Sequence, residues 1–319
     1  MKQKAGKQIN KKSGTVAVFW GDSVKDIQKN KFKYIIILPI LIYLIVFSYK
    51  PMYGIIIAFM DYNPIKGMAN SKFVGLRHFI SFFKDIFFVR VLRNTLSISF
   101  LSLLIGFPLP IFFALLLNEI RIPWFKKTVQ TITYMPHFIS TVVICGMITM
   151  FSQTQGVFND VIVFFGGERS NLLSRPELFY PIHIFSGIWQ SLGWSSIIYL
   201  AALSGIDTEQ YEAAKIDGAS RIQQMLYITL PGLAPTISTM LILRMGDLLR
   251  VGHEKILLLY QPTTYEVADV ISTYVYRRGL EDASYSYSTA VGLFESVVNI
   301  IMLLTANKIC KKLGQSGLF

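Results

Sequence analysis

The chain has 319 residues, of which 52% are hydrophobic, 14% aromatic and only 16% charged. A soluble protein of this length needs more charge to cover its surface, so the composition places the chain among membrane proteins. The formal net charge of +12 does not indicate nucleic-acid binding, because nine lysines lie within the first 33 residues and three more at Lys308, Lys311 and Lys312. Basic residues that flank membrane spans mark the cytoplasmic side, which predicts that both termini are cytoplasmic.

Three long runs carry no formal charge, at residues 94–118, 128–159 and 178–206. About 20 apolar residues suffice to cross a bilayer core as a helix. The chain is therefore predicted to be an all-α, polytopic membrane protein, and the shared location of its ends requires an even number of spans. The six predicted spans cover about residues 34–55, 94–117, 129–151, 181–203, a fifth that begins near Pro231, and about 287–307.

The segments around these spans have simpler roles. Residues 1–33 are predicted to be a basic cytoplasmic tail and not a cleaved signal, since the apolar run that follows leads into Lys50 and Pro51 without a small-residue cleavage site. Residues 34–308 would form the membrane domain, and residues 309–319 a second cytoplasmic tail. Between the first two spans, residues 73–91 have an amphipathic pattern, which predicts a helix that lies in the interface or against other spans. Its predicted apolar stripe consists of Leu76, Phe79, Ile80, Phe83, Ile86 and Phe87.

Cysteines and histidines do not indicate a metal site or a disulfide. Cys145 and Cys310 lie in or beside different spans, and no Cys/His spacing fits a metal site. The four histidines are scattered singly, which favours structural roles.

The segment from residue 207 to 231 interrupts the apolar pattern with polar and small residues. Asp207 is predicted to cap one helix, Ser220 with Gln223 forms the sequence of a full capping box, and Asp217-Gly218 between them is a turn signal. The pattern predicts two short helices, residues 208–216 and 221–229, which are too short to span the bilayer. Their small residues suit docking into a cleft on another protein, although an ordinary solvated loop helix has the same composition.

The spacing within this segment resembles the EAA motif of ABC importer permeases. The matching positions are Glu212, Ala213, Ala214, Asp217, Gly218, Ile228, Leu230 and Pro231. This resemblance implies a type I ABC importer permease fold, in which the bend is a coupling helix that sits in a groove of an ATPase subunit.

Further stretches resemble the carbohydrate-type permeases of this family, relatives of the maltose-system permeases. They are Tyr53-Gly54, Asp61 to Pro64, Thr264 to Gly279, Val291 to Phe294 and Gly317 to Phe319. The resemblance implies import of an oligosaccharide, a second homologous permease that completes the pathway, two ATPase subunits and an extracytoplasmic sugar-binding protein. The localisation it implies is a bacterial cell membrane.

The sequence contains no phosphate-binding G-x-x-x-x-G-K-[ST] loop. The chain is therefore predicted to bind no cofactor and to catalyse no reaction, and ATP and Mg²⁺ would bind to the partner subunits. Two other kinds of importer remain open, one for peptide or phosphate and an ion-coupled secondary transporter. A membrane scaffold or receptor without transport activity is a third alternative.

Ionisable residues within spans are costly and are candidates for function. Arg244, Asp247, Arg250 and Glu254 have a spacing that would place them on one face of the fifth span, at a depth comparable to that of Glu295 in the sixth. That face would line a watery pathway or meet Glu295. Structural ion pairs between the helices, or a fifth span that leaves the membrane near Arg250, explain the same pattern.

Aromatic residues of the fourth span are weaker candidates for the substrate pathway. Trp189, Trp194 and Tyr199 could pack against sugar rings, although aromatic residues in spans also serve as packing and interfacial anchors.

Overall fold

The structure is a computed structural model that describes residues 29–315 and 317–318. The predicted tail 1–33 lies almost wholly outside the described residues, as do Ser316 and Phe319 of the second predicted tail. The chain divides into two compact units between Ile56 and Ile57.

The described residues are mostly helical, with one short hairpin of strands. Helix α1 (Lys31–Leu44) continues through a π-helical turn, Ile45–Tyr49, and the short segment Lys50–Met52 into a 3₁₀ segment, Tyr53–Phe59. The helices that follow are α2 (Arg77–Phe83), α3 (Phe88–Gly106), α4 (Pro108–Glu119), α5 (Pro123–Tyr134), α6 (Thr141–Ser152), α7 (Val157–Phe164), α8 (Pro176–Leu203), α9 (Thr208–Ile216), α10 (Arg221–Gln224), α11 (Leu230–Gly246), α12 (His253–Leu259), α13 (Tyr265–Ala268), α14 (Ile271–Tyr276) and α15 (Tyr285–Lys312).

Four apolar helices among the described residues are long enough to cross a membrane. They are Lys31–Phe59, Phe88–Glu119, Arg221–Gly246 and Tyr285–Lys312. A fifth span arises if Pro123–Phe138 and Thr141–Ser152, which meet at an angle of 98°, cross together. The predicted third span is therefore broken, because Pro136 ends the first helix and Ser140 caps the second by accepting a hydrogen bond from the Val143 N–H.

Helix α8 corresponds to the predicted fourth span. It has 28 residues and is about 42 Å long, which exceeds the thickness of a bilayer core. It is not among the candidate spans named above, because serines and Gln190 interrupt its apolar sequence. These polar residues are tolerated because α8 is the centre of the bundle and packs against α3, α4, α5, α11 and α12.

The predicted amphipathic helix over residues 73–91 is wrong in extent and in its buried face. Strands β1 (Met60–Asp61) and β2 (Lys72–Phe73) pair antiparallel, α2 covers only Arg77–Phe83, and α3 already begins at Phe88. Phe82, which lies outside the predicted apolar stripe, is the residue buried against α14 and α15. Asp85 causes the break, since its carboxylate accepts a hydrogen bond from the Phe87 N–H and holds the chain in a turn.

The fifth span also ends earlier than predicted. Helix α11 stops at Gly246, the chain turns, and α12 packs between α6 and α8. Ile256 and Leu259 of α12 are buried there in the same cluster as Cys145. The four charges from Arg244 to Glu254 therefore do not share one helical face. Arg244 lies in α11, Asp247 and Arg250 lie in the turn, and Glu254 lies in α12.

Candidate functional site

The 207–231 segment begins with a helix that is capped at both ends. Asp207 accepts a hydrogen bond from the Glu209 N–H at 2.9 Å. At the other end, Gly218 has φ +76° and its N–H donates to the Lys215 carbonyl, while the Ala219 N–H donates to the Ala214 carbonyl at 2.8 Å. These two bonds form a Schellman motif, whose left-handed position favours glycine. The predicted bend at Asp217-Gly218 is confirmed.

The predicted capping box after the bend is also confirmed. The Ser220 N–H donates to Gln223 Oε1 at 2.7 Å, and the Gln223 N–H donates to Ser220 Oγ at 3.4 Å. The two sides of the bend are joined by Tyr211 Oη and Thr229 Oγ1, which lie 3.0 Å apart. The segment therefore has a fixed shape of its own.

The second predicted short helix is not separate from the fifth span. Helix α10 runs through a π-helical turn, Met225–Thr229, directly into α11, so that Arg221–Gly246 is one helix of 26 residues. Pro231 has no N–H to donate, and the wider π turn before it accommodates the missing bond. The part of the segment after the bend is thus the beginning of a membrane span, whereas α9 before the bend is a separate helix.

The outer face of the segment is exposed and partly apolar. Glu212, Ala213, Asp217 and Gly218 are exposed, and Ala214 is half-buried. Ile216 is 87% exposed and Tyr227 77%, which are high values for large apolar side chains. Of the other predicted positions, Ile228 is half-buried, whereas Leu230 and Pro231 are exposed.

A groove of about 610 Å³ lies beside this face. Glu212, Tyr211 and Arg221 line it together with Asn118 and Glu119 at the end of α4. Arg221 Nη1 lies 3.5 Å from Glu119 Oε2, so an ion pair connects the segment to α4. The groove is polar on both sides, and the exposed apolar residues lie at its edge.

A separate cavity of about 380 Å³ lies among α3, α4, α8 and α11. Two predicted pathway residues, Arg244 and Tyr199, both line it. They are joined by residues that the sequence did not single out, among them His183 and Ser195 of α8 and Ser102 of α3. The structure thus brings together part of the predicted pathway set.

The remaining predicted pathway residues lie elsewhere. Asp247 is exposed and pairs with Arg250 at 3.4 Å. Glu295 lines a different groove of about 450 Å³ with His253 and Tyr276, and within residues 29–315 and 317–318 it forms no ion pair with Arg244. Of the two alternatives predicted for the charged face, an ion pair with Glu295 does not form among the described residues.

The two tryptophans of α8 face other surroundings. The Trp194 ring stacks on His137, with ring centres 4.5 Å apart and planes 3° apart. Trp189 lines an apolar groove of about 520 Å³ with Ile148, Phe158 and Phe185. Neither lines the cavity around Arg244, so the three aromatic residues do not form one stripe.

Two polar clusters hold the start of α3 against α13 and α14. In the first, Asp269 is 1% exposed and pairs with Arg90 at 3.1 Å and Arg277 at 2.8 Å. The Asn94 amide donates to the carbonyls of Glu266 and Asp269, both at 2.9 Å. Asp269 lies in the stretch Thr264 to Gly279, which resembles carbohydrate-type permeases. These bonds give that stretch a structural role in the packing of the fold.

The second cluster surrounds Asp85. Tyr274 Oη donates to Asp85 Oδ2 at 2.6 Å, and Arg278 Nη2 lies 3.6 Å from the same oxygen. Burial alone would raise the pKa of Asp85, but the hydrogen bonds from Tyr274, the Phe87 N–H and Tyr287, together with the Arg278 charge, hold this pKa below its ordinary value. Asp85 is therefore a carboxylate fixed in its charged form.

Comparison with known proteins identifies the group to which the chain belongs. Residues 106–312 match the model of the family "Binding-protein-dependent transport system inner membrane component". The chain belongs to this family. It is therefore a transport permease, located in a membrane, and the predicted resemblance and the all-helical type I importer permease fold are confirmed.

Similar permeases cover almost the whole chain. The polygalacturonan/rhamnogalacturonan transport system permease protein YteP of Bacillus subtilis (strain 168) is 48% identical over 93% of this chain and 92% of its own. Protein LplB of the same organism is 45% identical over 92% of each chain. In the crystal structure of a bacterial ABC transporter involved in the import of the acidic polysaccharide alginate, one chain matches with a TM-score of 0.84 and 45% identity, covering 91% of this permease and 99% of that chain.

Two polar residues of the cavity around Arg244 were not singled out by the sequence analysis of this permease. His183 and Ser195 are polar residues on a long helix, and a single polar residue in a span has no recognisable spacing. Only the combination of α8 with α11 shows that they lie in one cavity with Arg244. Their position beside Arg244 is visible only from the packing of helices far apart in the sequence.

Proposed function

We propose that this permease is one half of the translocation pathway of an ATP-driven importer for oligosaccharides. The observation that carries the proposal is the 207–231 segment, which has a capped, bent shape and exposes Ile216 before the bend and Tyr227 after it. From Arg221 the segment continues as one helix into the span that lines the cavity. Large exposed apolar side chains beside a polar groove are typical of a protein–protein contact.

The partners follow from this geometry and from the family. ATPase subunits would bind the exposed face around Glu212 and Gly218 and supply ATP and Mg²⁺, since the sequence of the permease has no phosphate-binding loop. A second homologous permease, as a different chain, would complete the pathway. An extracytoplasmic sugar-binding protein would deliver cargo, and one structural relative is a bacterial alginate ABC transporter in complex with an alginate pentasaccharide-bound periplasmic protein.

The carbohydrate cargo is supported by the relatives. YteP is named as the permease protein of a polygalacturonan/rhamnogalacturonan transport system, and the structural relative is involved in the import of alginate. An importer for peptide or phosphate would share the 207–231 segment but not these relatives. An ion-coupled transporter would have no use for a segment shaped to contact an ATPase.

The test is transport by the reconstituted complex. The permease is purified with its second permease and ATPase, placed in proteoliposomes that contain ATP, and supplied with the binding protein and labelled trigalacturonate. We expect uptake that requires both ATP and the binding protein. Uptake that continues with an ATPase whose P-loop lysine is replaced would indicate an ion-coupled transporter, and uptake of peptide or phosphate alone would reject the sugar cargo.

A further inference from the structure

The cavity among α3, α4, α8 and α11 contains polar groups that the chain itself leaves without partners. Within the described ranges, the Arg244 guanidinium forms no hydrogen bond, ion pair or ring contact. The His183 side chain lines the same cavity, is 8% exposed, and has a buried Nδ1 without a hydrogen-bond partner. Buried polar groups in proteins are almost always paired, so this nitrogen is an exception in the wall of the cavity.

Three hydroxyl groups on α3 and α8 also line the cavity. The side chains of Ser195 and Ser102 form no hydrogen bond within residues 29–315 and 317–318, and neither does the hydroxyl of Tyr199. The cavity volume of about 380 Å³ is in the range of small-ligand sites. A ligand rich in hydroxyl groups would satisfy these donors and acceptors.

The charge of the cavity has one sign. Its lining includes the Arg244 guanidinium and no Asp or Glu. Behind the α8 wall, Lys255 Nζ donates to the His183 carbonyl at 2.8 Å, and among the described residues it has no carboxylate partner. Arg244 is exposed, and the described chain supplies neither it nor the neighbouring Lys255 with a counter-charge, which favours an anionic ligand at Arg244.

We propose that this cavity binds a uronic-acid unit of the cargo as it passes, with the sugar carboxylate on Arg244 and the ring hydroxyls on Ser195 and Tyr199. Arginine suits this role because its planar guanidinium binds a carboxylate through two parallel hydrogen bonds. The proposal rests on the proposed importer function and names the chemical class of its cargo, an acidic oligosaccharide.

The test measures cargo binding by the purified complex without the binding protein. Equilibrium dialysis compares labelled trigalacturonate with its fully methyl-esterified form, which has the same sugar rings but no charge. For Arg244→Gln we expect an affinity for trigalacturonate at least about tenfold lower, because a hydrogen-bonded charge pair is lost, and a change of less than about twofold for the ester. Arg244→Lys should keep part of the preference for the acid.

Arg175→Gln is the matched control. Arg175 precedes the same helix α8, is exposed, and already pairs with Glu177 at 3.2 Å. It should leave both affinities unchanged. Elution of each variant complex at the wild-type volume in size-exclusion chromatography shows that the complex is assembled.

Three results would overturn the cavity assignment. They are equal binding of acid and ester by the wild type, an equal loss of both ligands in Arg244→Gln, and no binding of trigalacturonate by a complex that still imports it. Failure of the importer function is a different result, the absence of ATP-dependent uptake of trigalacturonate by the wild-type complex with its binding protein. The two failures are therefore distinguishable.

Discussion

Asp85 and Arg244 are both charged side chains, but their surroundings differ. Asp85 is surrounded by donors from Tyr274, Tyr287 and the Phe87 N–H. Arg244 has no partner within the described part of the chain. The paired charge of Asp85 stabilises the fold, whereas the exposed, unpaired charge of Arg244 is available for a ligand.

Asp85→Asn should destabilise the permease at neutral pH. The change removes the negative charge that accepts from Tyr274 and faces Arg278, and hydrogen bonds to charged groups contribute about 1.5–3 kcal/mol. We expect the unfolding temperature of the purified complex to fall by several degrees. Asp61→Asn is the control, because Asp61 is exposed and lies 3.9 Å from the exposed Arg77, and such pairs contribute little.

The Asp85 contribution should also depend on pH. The folded-state pKa of Asp85 lies below the unfolded-state value, so its stabilisation is fully present above the unfolded pKa and is lost as the pH falls through the folded one. The difference in unfolding temperature between the wild type and Asp85→Asn should therefore shrink below about pH 4. A difference that grows on acidification would contradict this reading of the cluster.

At the scale of elements, the bend between α9 and α10 depends on one backbone conformation. Gly218 has φ +76°, a region that β-branched residues occupy at a cost of about 1–3 kcal/mol. Nothing lies within 4 Å of a Cβ placed on Gly218, so the strain comes from the backbone and not from a clash. A substitution there alters the shape of the exposed face without disturbing the core.

Gly218→Val should therefore uncouple ATP hydrolysis from uptake while the permease still inserts into the membrane. The measurement is the ratio of sugar imported to ATP hydrolysed in proteoliposomes, and we expect this ratio to fall at least about tenfold. Gly205→Ala is a control at the same end of the bundle, since a Cβ there meets only the Ala202 carbonyl oxygen at 3.4 Å and its φ is not positive. Normal coupling in Gly218→Val would reject the role given to the bend.

The elements that the sequence predicted well are those with local causes. The Ser220–Gln223 capping box and the Gly218 turn depend on residues three to five positions apart, and both are present as predicted. The end of α11 at Gly246 depends on Ile256 and Leu259 of the next helix packing into the core, and no local pattern indicates this. The π turn before Pro231 and the buried position of Phe82 were missed for the same reason.

For the whole molecule, the helix order predicts which loops face the cytoplasm. The 207–231 segment would lie on the cytoplasmic side of the membrane, and the β1–β2 hairpin on the opposite side. Single-cysteine variants in a background without Cys145 and Cys310 test this with a reagent that does not cross membranes. In protoplasts, Lys66→Cys should react and Lys215→Cys should not, although both lysines are exposed. The reverse pattern would reject the proposed orientation.

The continuity of α10 with α11 has a consequence for the thermodynamics of the complex. About 35 Å of one helix separates Arg221, beside the exposed face, from Arg244 in the cavity. Two binding sites on one rigid element influence each other equally in both directions. If binding of ATP to the partner weakens the hold of the cavity on an acidic sugar by a given factor, the same sugar must weaken the binding of ATP by that factor. Cargo that stays bound in the cavity would then lower the affinity of the partner ATPase for ATP.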